Sequence, residues 1–142
     1  VGLADRMALV LANAAHQAAE FIAWPEARIR IAEAAIYIAT ANKSNSVITS
    51  IDAALDDVRS GRTLAVPEHL RDAHYAGAKR LGHGEGYQYA HDHPGHFVAQ
   101  DYLGADRRYY EPSDQGTEKK IKERVEKWRA LTAEARKQSK AK

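Results

Sequence analysis

Residues 25–41 read Pro-Glu-Ala-Arg-Ile-Arg-Ile-Ala-Glu-Ala-Ala-Ile-Tyr-Ile-Ala-Thr-Ala. Ile29, Ala32, Ile36 and Ala39 recur at helical spacing, and Ile31, Ala35 and Ile38 fill a second stripe. Pro25 suits a first helical turn, and Glu26 sits favourably near the positive end of the dipole. A helix over 25–41 that is apolar around so much of its circumference belongs at a buried centre or against another subunit. Outward from it, Met7, Val10, Leu11, Ala14, Ala18, Phe21 and Ile22 mark a preceding helix over 6–22, with Asp5 as its N-cap. Asn42 to Asn45 break the pattern. Val47, Ile48, Ile51, Leu55 and Val58 then define an amphipathic helix over 45–60 that Gly61 stops. Sixteen of the first sixty residues are alanine, so these helices can approach closely.

Beyond Gly61 the composition changes. Pro67 starts a short helix over 67–74, and residues 75–112 are dense in Gly, His, Tyr and Asp. Tyr87/Tyr89 and Phe97/Val98 are candidates for short extended pieces around the Pro94-Gly95 turn. The aromatic content implies that this irregular segment wraps the helical core. Helical periodicity returns over 114–137, where Ile121, Val125, Trp128 and Leu131 form a single stripe. The pairs Glu118–Lys122 and Glu123–Lys127 flank it. Residues 138–142 are expected to fray. The expected class is mostly α, a single domain over 1–142.

The chain of 142 residues is 44% hydrophobic and 28% charged, the balance of an ordinary globular protein. It has no cysteine, which excludes disulfides, cysteine-ligated zinc and thiol catalysis. No apolar run approaches the roughly 18 residues of a membrane span, so the chain is expected to be soluble and intracellular, without a membrane partner. A start at Val1 implies processing or a piece of something longer. The net charge of +2 conceals an excess of basic residues after Ser113, ten Lys/Arg against five Asp/Glu.

Candidate chemistry is sparse. Six of the seven histidines (His69, His74, His83, His91, His93 and His96) lie close together in sequence, which opens the reading of a small metal-dependent enzyme with a His-rich loop. No metal-ligand spacing accompanies them. The glycines around His83-Gly84-Glu85-Gly86 match no phosphate-binding fingerprint, and Asp56 and Asp57, adjacent on a helix, diverge. Catalytic, cofactor-binding and metal-binding residues are therefore expected to be none. Arg107 and Arg108, before Tyr109 and Tyr110, with Lys119, Lys120 and Lys122 on the last helix, are candidate nucleic-acid contacts of a DNA-binding module.

Several ordered blocks carry a resemblance. They include Pro67-Glu68-His69-Leu70-Arg71-Asp72-Ala73, the run from Lys79 to Tyr89, Ala39 to Asn45, His91-Asp92-His93-Pro94-Gly95 and Arg108-Tyr109-Tyr110-Glu111-Pro112. Essentially the whole chain resembles the C-terminal domain of the RarA/MgsA replication-associated recombination AAA+ ATPases, relatives of the Werner helicase-interacting protein. Ala90 and His93 stand where members of that family commonly carry Pro and Tyr, and the segment before Arg107 is shortened. The resemblance implies a helical, clamp-loader-collar-like oligomerisation domain that holds its parent as a homotetramer. It implies a DNA-dependent ATPase acting at stalled replication forks in DNA replication, recombination and repair, with single-strand-binding protein as partner. It places ATP, magnesium and their site upstream of residue 1, so this fragment is itself no enzyme, and it implies a cytoplasmic, nucleoid-associated location. Under that reading Phe21, Ile29, Ile31, Ile36 and Ile38 are the candidate interface residues.

Overall fold

The computed structural model describes residues 1–140; its regular secondary structure is helical, with no strand among the described residues. Four α-helices carry it: α1 (Met7–Ile22), α2 (Ala27–Thr40), α3 (Ser46–Arg59) and α4 (Glu118–Lys140). The three N-terminal helices fall within two residues of their expected limits. The fourth starts four residues later than expected and runs past 137. The fraying expected over 138–142 thus gives way to helix as far as Lys140, and residues 141–142 lie outside the described residues.

Chain contacts group into two compact units. The first comprises Val1–Ala54 with Tyr109–Glu123, and the second Leu55–Arg108 with the chain from Arg124 on. In the first, α1 and α2 pack antiparallel across a turn at residues 23–26. Asp5 acts as the sequence suggests: one carboxylate oxygen accepts the Met7 N–H at 3.0 Å. The other accepts the Tyr37 hydroxyl at 2.9 Å, which ties the start of α1 to the end of α2. The hydrogen bond to this carboxylate, then burial and the carboxylate's charge, raise the Tyr37 pKa. Alanine makes the interior: Ala4, Ala8, Ala27 and Ala34 are buried here, whereas the larger apolar side chains are not. Small side chains let the helix axes close up, but each buries little area.

α3 ends as Gly61 requires. The Arg62 N–H reaches the Asp57 carbonyl at 2.9 Å and the Gly61 N–H reaches Val58 at 3.1 Å, with Gly61 at φ 74°. This is a Schellman closure that a side chain at 61 would strain. Gly116 meets a different demand. A Cβ there would lie 2.1 Å from the Ala4 carbonyl oxygen, which instead accepts the Thr117 N–H at 2.8 Å.

In the second unit the expected helix over 67–74 is corrected to a single 3₁₀ turn, Glu68–Leu70. Its first turn has proline before it but no apolar period to continue on. Of the extended pieces expected at Tyr87/Tyr89 and Phe97/Val98, Tyr89 (φ −76°, ψ 115°) and Phe97 (φ −127°, ψ 132°) are extended but join no strand among the described residues, and between them the chain turns through two 3₁₀ segments, Ala90–Asp92 and Pro94–His96. Ala78 and Val98 are its buried apolar residues. Phe97 stacks on Trp128 with ring centroids 5.2 Å apart, and the Arg124 guanidinium lies 6.0 Å from the same indole.

Candidate subunit interface

Apolar surface is distributed inside out in the first unit. Phe21 is 93% exposed, Leu9 78%, Trp24 69%, Ile36 65% and Ile29 60%. Ile31 is also exposed, and so are Val47, Ile48 and Ile51 on α3. Of the five interface candidates, only Ile38 is half-buried, in a pocket with Leu9 and Val47. The largest wholly buried side chain among the described residues is a glutamate, Glu118.

Two shapes stand out on the α1–α2 hairpin. One is the tip. Phe21 and Ile22 close α1, and Trp24 follows Ala23, whose φ of 64° and ψ of 177° take the chain out of the helix. That conformation costs an L-residue about 1–3 kcal/mol and persists only where neighbours dictate it. Here the Ala23 N–H is held by Ala19 at 3.1 Å, and its carbonyl accepts the Ala27 N–H at 3.0 Å. The other is a shallow trough of about 700 Å³ along α2, with Ile29, Ala32, Ile36 and Tyr37 on one side and Leu11 of α1 on the other. Arg28 and Glu33 also line it, and Glu33 is bound by Arg30 at 3.2 Å.

Two hubs hold the surrounding structure. Glu118, at the start of α4, accepts the hydroxyls of Ser46, Tyr110 at 2.7 Å and Ser113 at 2.6 Å. Burial opposes its charge. Hydrogen bonds from Ser113, Ser44, Ser46 and Tyr110 outweigh that opposition and hold its pKa at about 2. Burial, followed by its bond to Glu118 and the charge there, pushes Tyr110 up to about 12. The expected Glu118–Lys122 pair is therefore corrected: Glu118 is taken up by hydroxyls, and Lys122 reaches Asp114 at 2.9 Å. In the second unit, Asp57 is buried rather than diverging into solvent. Arg107 grips it with two bonds of 2.6 Å, and Arg62 adds one of 3.0 Å.

These placements also locate the nucleic-acid candidates. Arg107 is committed to Asp57 and Lys122 to Asp114, whereas Arg108, Lys119 and Lys120 are exposed. Arg107 and Arg108 belong to the second unit, the three lysines to the first. The histidines make local contacts. His83 meets the Tyr75 hydroxyl at 2.6 Å, His74 meets Asp72 at 2.8 Å, and the His91 and His96 rings lie 4.9 Å apart. No three histidine or carboxylate side chains converge on a possible ion position among the described residues. Neither hub was legible in sequence, since each assembles residues from separated segments.

The family described as MgsA AAA+ ATPase C terminal matches residues 1–129. An AAA domain-containing protein of Mycobacterium tuberculosis is 43% identical over 139 residues, 96% of this chain and 31% of that protein. The replication-associated recombination protein A of Bacillus subtilis is 44% identical over 119 residues, 82% of this chain and 28% of that protein. Its Escherichia coli K12 namesake is 39% identical over 129 residues, 88% of this chain and 29% of that protein. The chain thus spans less than a third of the length of these relatives. The chain belongs to the MgsA AAA+ ATPase C-terminal family.

Proposed function

We propose that this chain is the oligomerisation domain of a replication-associated recombination AAA+ ATPase and gathers its parent into a homotetramer. The observation that carries this reading is the exposed apolar surface of the α1–α2 hairpin. Phe21 and Trp24 alone leave on the order of 300 Å² of aromatic surface in water, and covering it is worth about 7 kcal/mol. Monomeric proteins seldom leave large contiguous apolar patches uncovered. The role is mechanical: the domain sets the number and spacing of ATPase modules around DNA. ATP hydrolysis with magnesium, work at stalled replication forks and contact with DNA and single-strand-binding protein belong to the whole parent, in the cytoplasm at the nucleoid. The names of the relatives support that setting, because they describe replication-associated recombination proteins and an AAA domain-containing protein.

Light scattering coupled to size exclusion tests the reading on this chain. A mass four times that of the monomer is expected, with dissociation only on dilution. A monomer that persists at high micromolar concentration overturns it.

A further inference from the structure

We infer, building on the assembly reading above, that copies join head to tail, the aromatic tip of one α1–α2 hairpin seating in the trough along α2 of the next. Phe21, in the last turn of α1, and Trp24, in the turn that follows, are exposed together at one end of the hairpin, and a trough covers such side chains more fully than a second tip would. The trough beside Ile29 and Ile36 is concave, apolar and large enough to receive an aromatic side chain. One surface is the complement of the other, and both are carried by every copy.

Charge points the same way. Glu26 lies in the turn beside the tip, exposed, and makes no ion pair among the described residues. Arg28 lines the trough, exposed, and likewise makes none there. Glu33, the trough's own carboxylate, is neutralised by Arg30. The tip is thus left with a spare negative charge and the trough with a spare positive one, an arrangement that selects tip against trough over tip against tip. Because the two surfaces differ, the contact is heterologous, and a fourfold rotation closes it into the proposed ring of four.

Mixing two variants separates this geometry from other modes of assembly. The tip variant carries Phe21→Ser and Trp24→Ser, and the trough variant carries Ile29→Glu and Ile36→Glu. Each alone is expected to scatter as a monomer with unchanged helical circular dichroism, since all four positions are exposed. Mixed in equal amounts, they form a heterodimer of twice the monomer mass, because one intact trough still meets one intact tip. A mixture that stays monomeric, or a variant that keeps the mass of the unaltered assembly, overturns the inference while leaving assembly itself intact. If the unaltered chain is monomeric, the assembly reading fails instead. A charge swap provides a second line that no folding defect can imitate. Glu26→Lys and Arg28→Glu each weaken association roughly two- to fivefold, and a chain carrying both recovers it; failure to recover also overturns the inference.

Discussion

The two buried carboxylates among the described residues, one in each unit, are partnered in opposite ways. Glu118 sits at the start of α4 within a ring of neutral hydroxyls, and Asp57 near the end of α3 is gripped by two guanidiniums. The first arrangement solvates an ion in place of water and leaves its charge uncompensated. The second neutralises the ion with arginines that are themselves about half exposed, with Arg107 at 48%. A hydroxyl cage depends on geometry and dryness, whereas a guanidinium clamp depends on Coulomb attraction that solvent attenuates. The contrast shows why equal burial does not mean equal contribution to stability.

Removing the cage is the harsher test of that contrast. Glu118→Ala strands Ser46, Ser113 and Tyr110 together, and a loss of about 2–4 kcal/mol in urea unfolding is expected. If the loss is no greater than that of an exposed glutamate such as Glu126, the hub does not hold its unit. Acid provides a second, graded version. The Glu118 pKa is lowered in the fold from the ordinary 4.5 to about 2, so the native state holds fewer protons than the unfolded chain between those limits. Its contribution is complete above the ordinary value and disappears as pH falls towards about 2. Unfolding measured against pH is expected to show this acid slope, and Glu118→Gln is expected to flatten it.

The clamp responds less. Asp57→Asn keeps the shape but discharges the pair, with an expected cost of about 1–2 kcal/mol, reduced because the arginines face water. At 1 M salt the screening length falls to about 3 Å, so the stability difference between Asp57→Asn and the unaltered chain is expected to shrink while that of Glu118→Gln does not. A common salt response would erase the distinction between the two hubs. The smallest effect on the monomer belongs to the exposed apolar face. Ile36→Gln is expected to change the unfolding free energy by no more than about 0.5 kcal/mol, measured at a concentration where copies are apart, yet to cut association sharply.

How much of this was legible in sequence follows from the range of the interactions involved. α1, α2 and α3 declare themselves because helical periodicity, Asp5 and Gly61 act over a few residues. The segment after Pro67 misleads because a good start signal is followed by no sustained stripe, and the chain makes one turn and leaves. The stripes of α2 imply a buried centre or a subunit contact, and the structure places Ile29 and Ile36 outside while alanines fill the interior. Periodicity reveals that a face is apolar but not what covers it. Glu118 was invisible as a hub for a related reason: amid the charges of its helix it looks like one more surface residue. What buries it arrives from Ser46 and Tyr110, 72 and 8 positions away.

The clasp between Thr117 and Leu3, whose residues lie 114 positions apart, has a consequence for biogenesis. On the ribosome, the opening helices emerge long before the segment that locks them, so the nascent chain displays Phe21, Trp24 and its isoleucines while the rest is still being translated. Because those side chains stay exposed in the completed fold, chaperone occupancy is expected to persist after the stretch through Glu118 clears the exit tunnel, and to fall only when copies assemble and cover them.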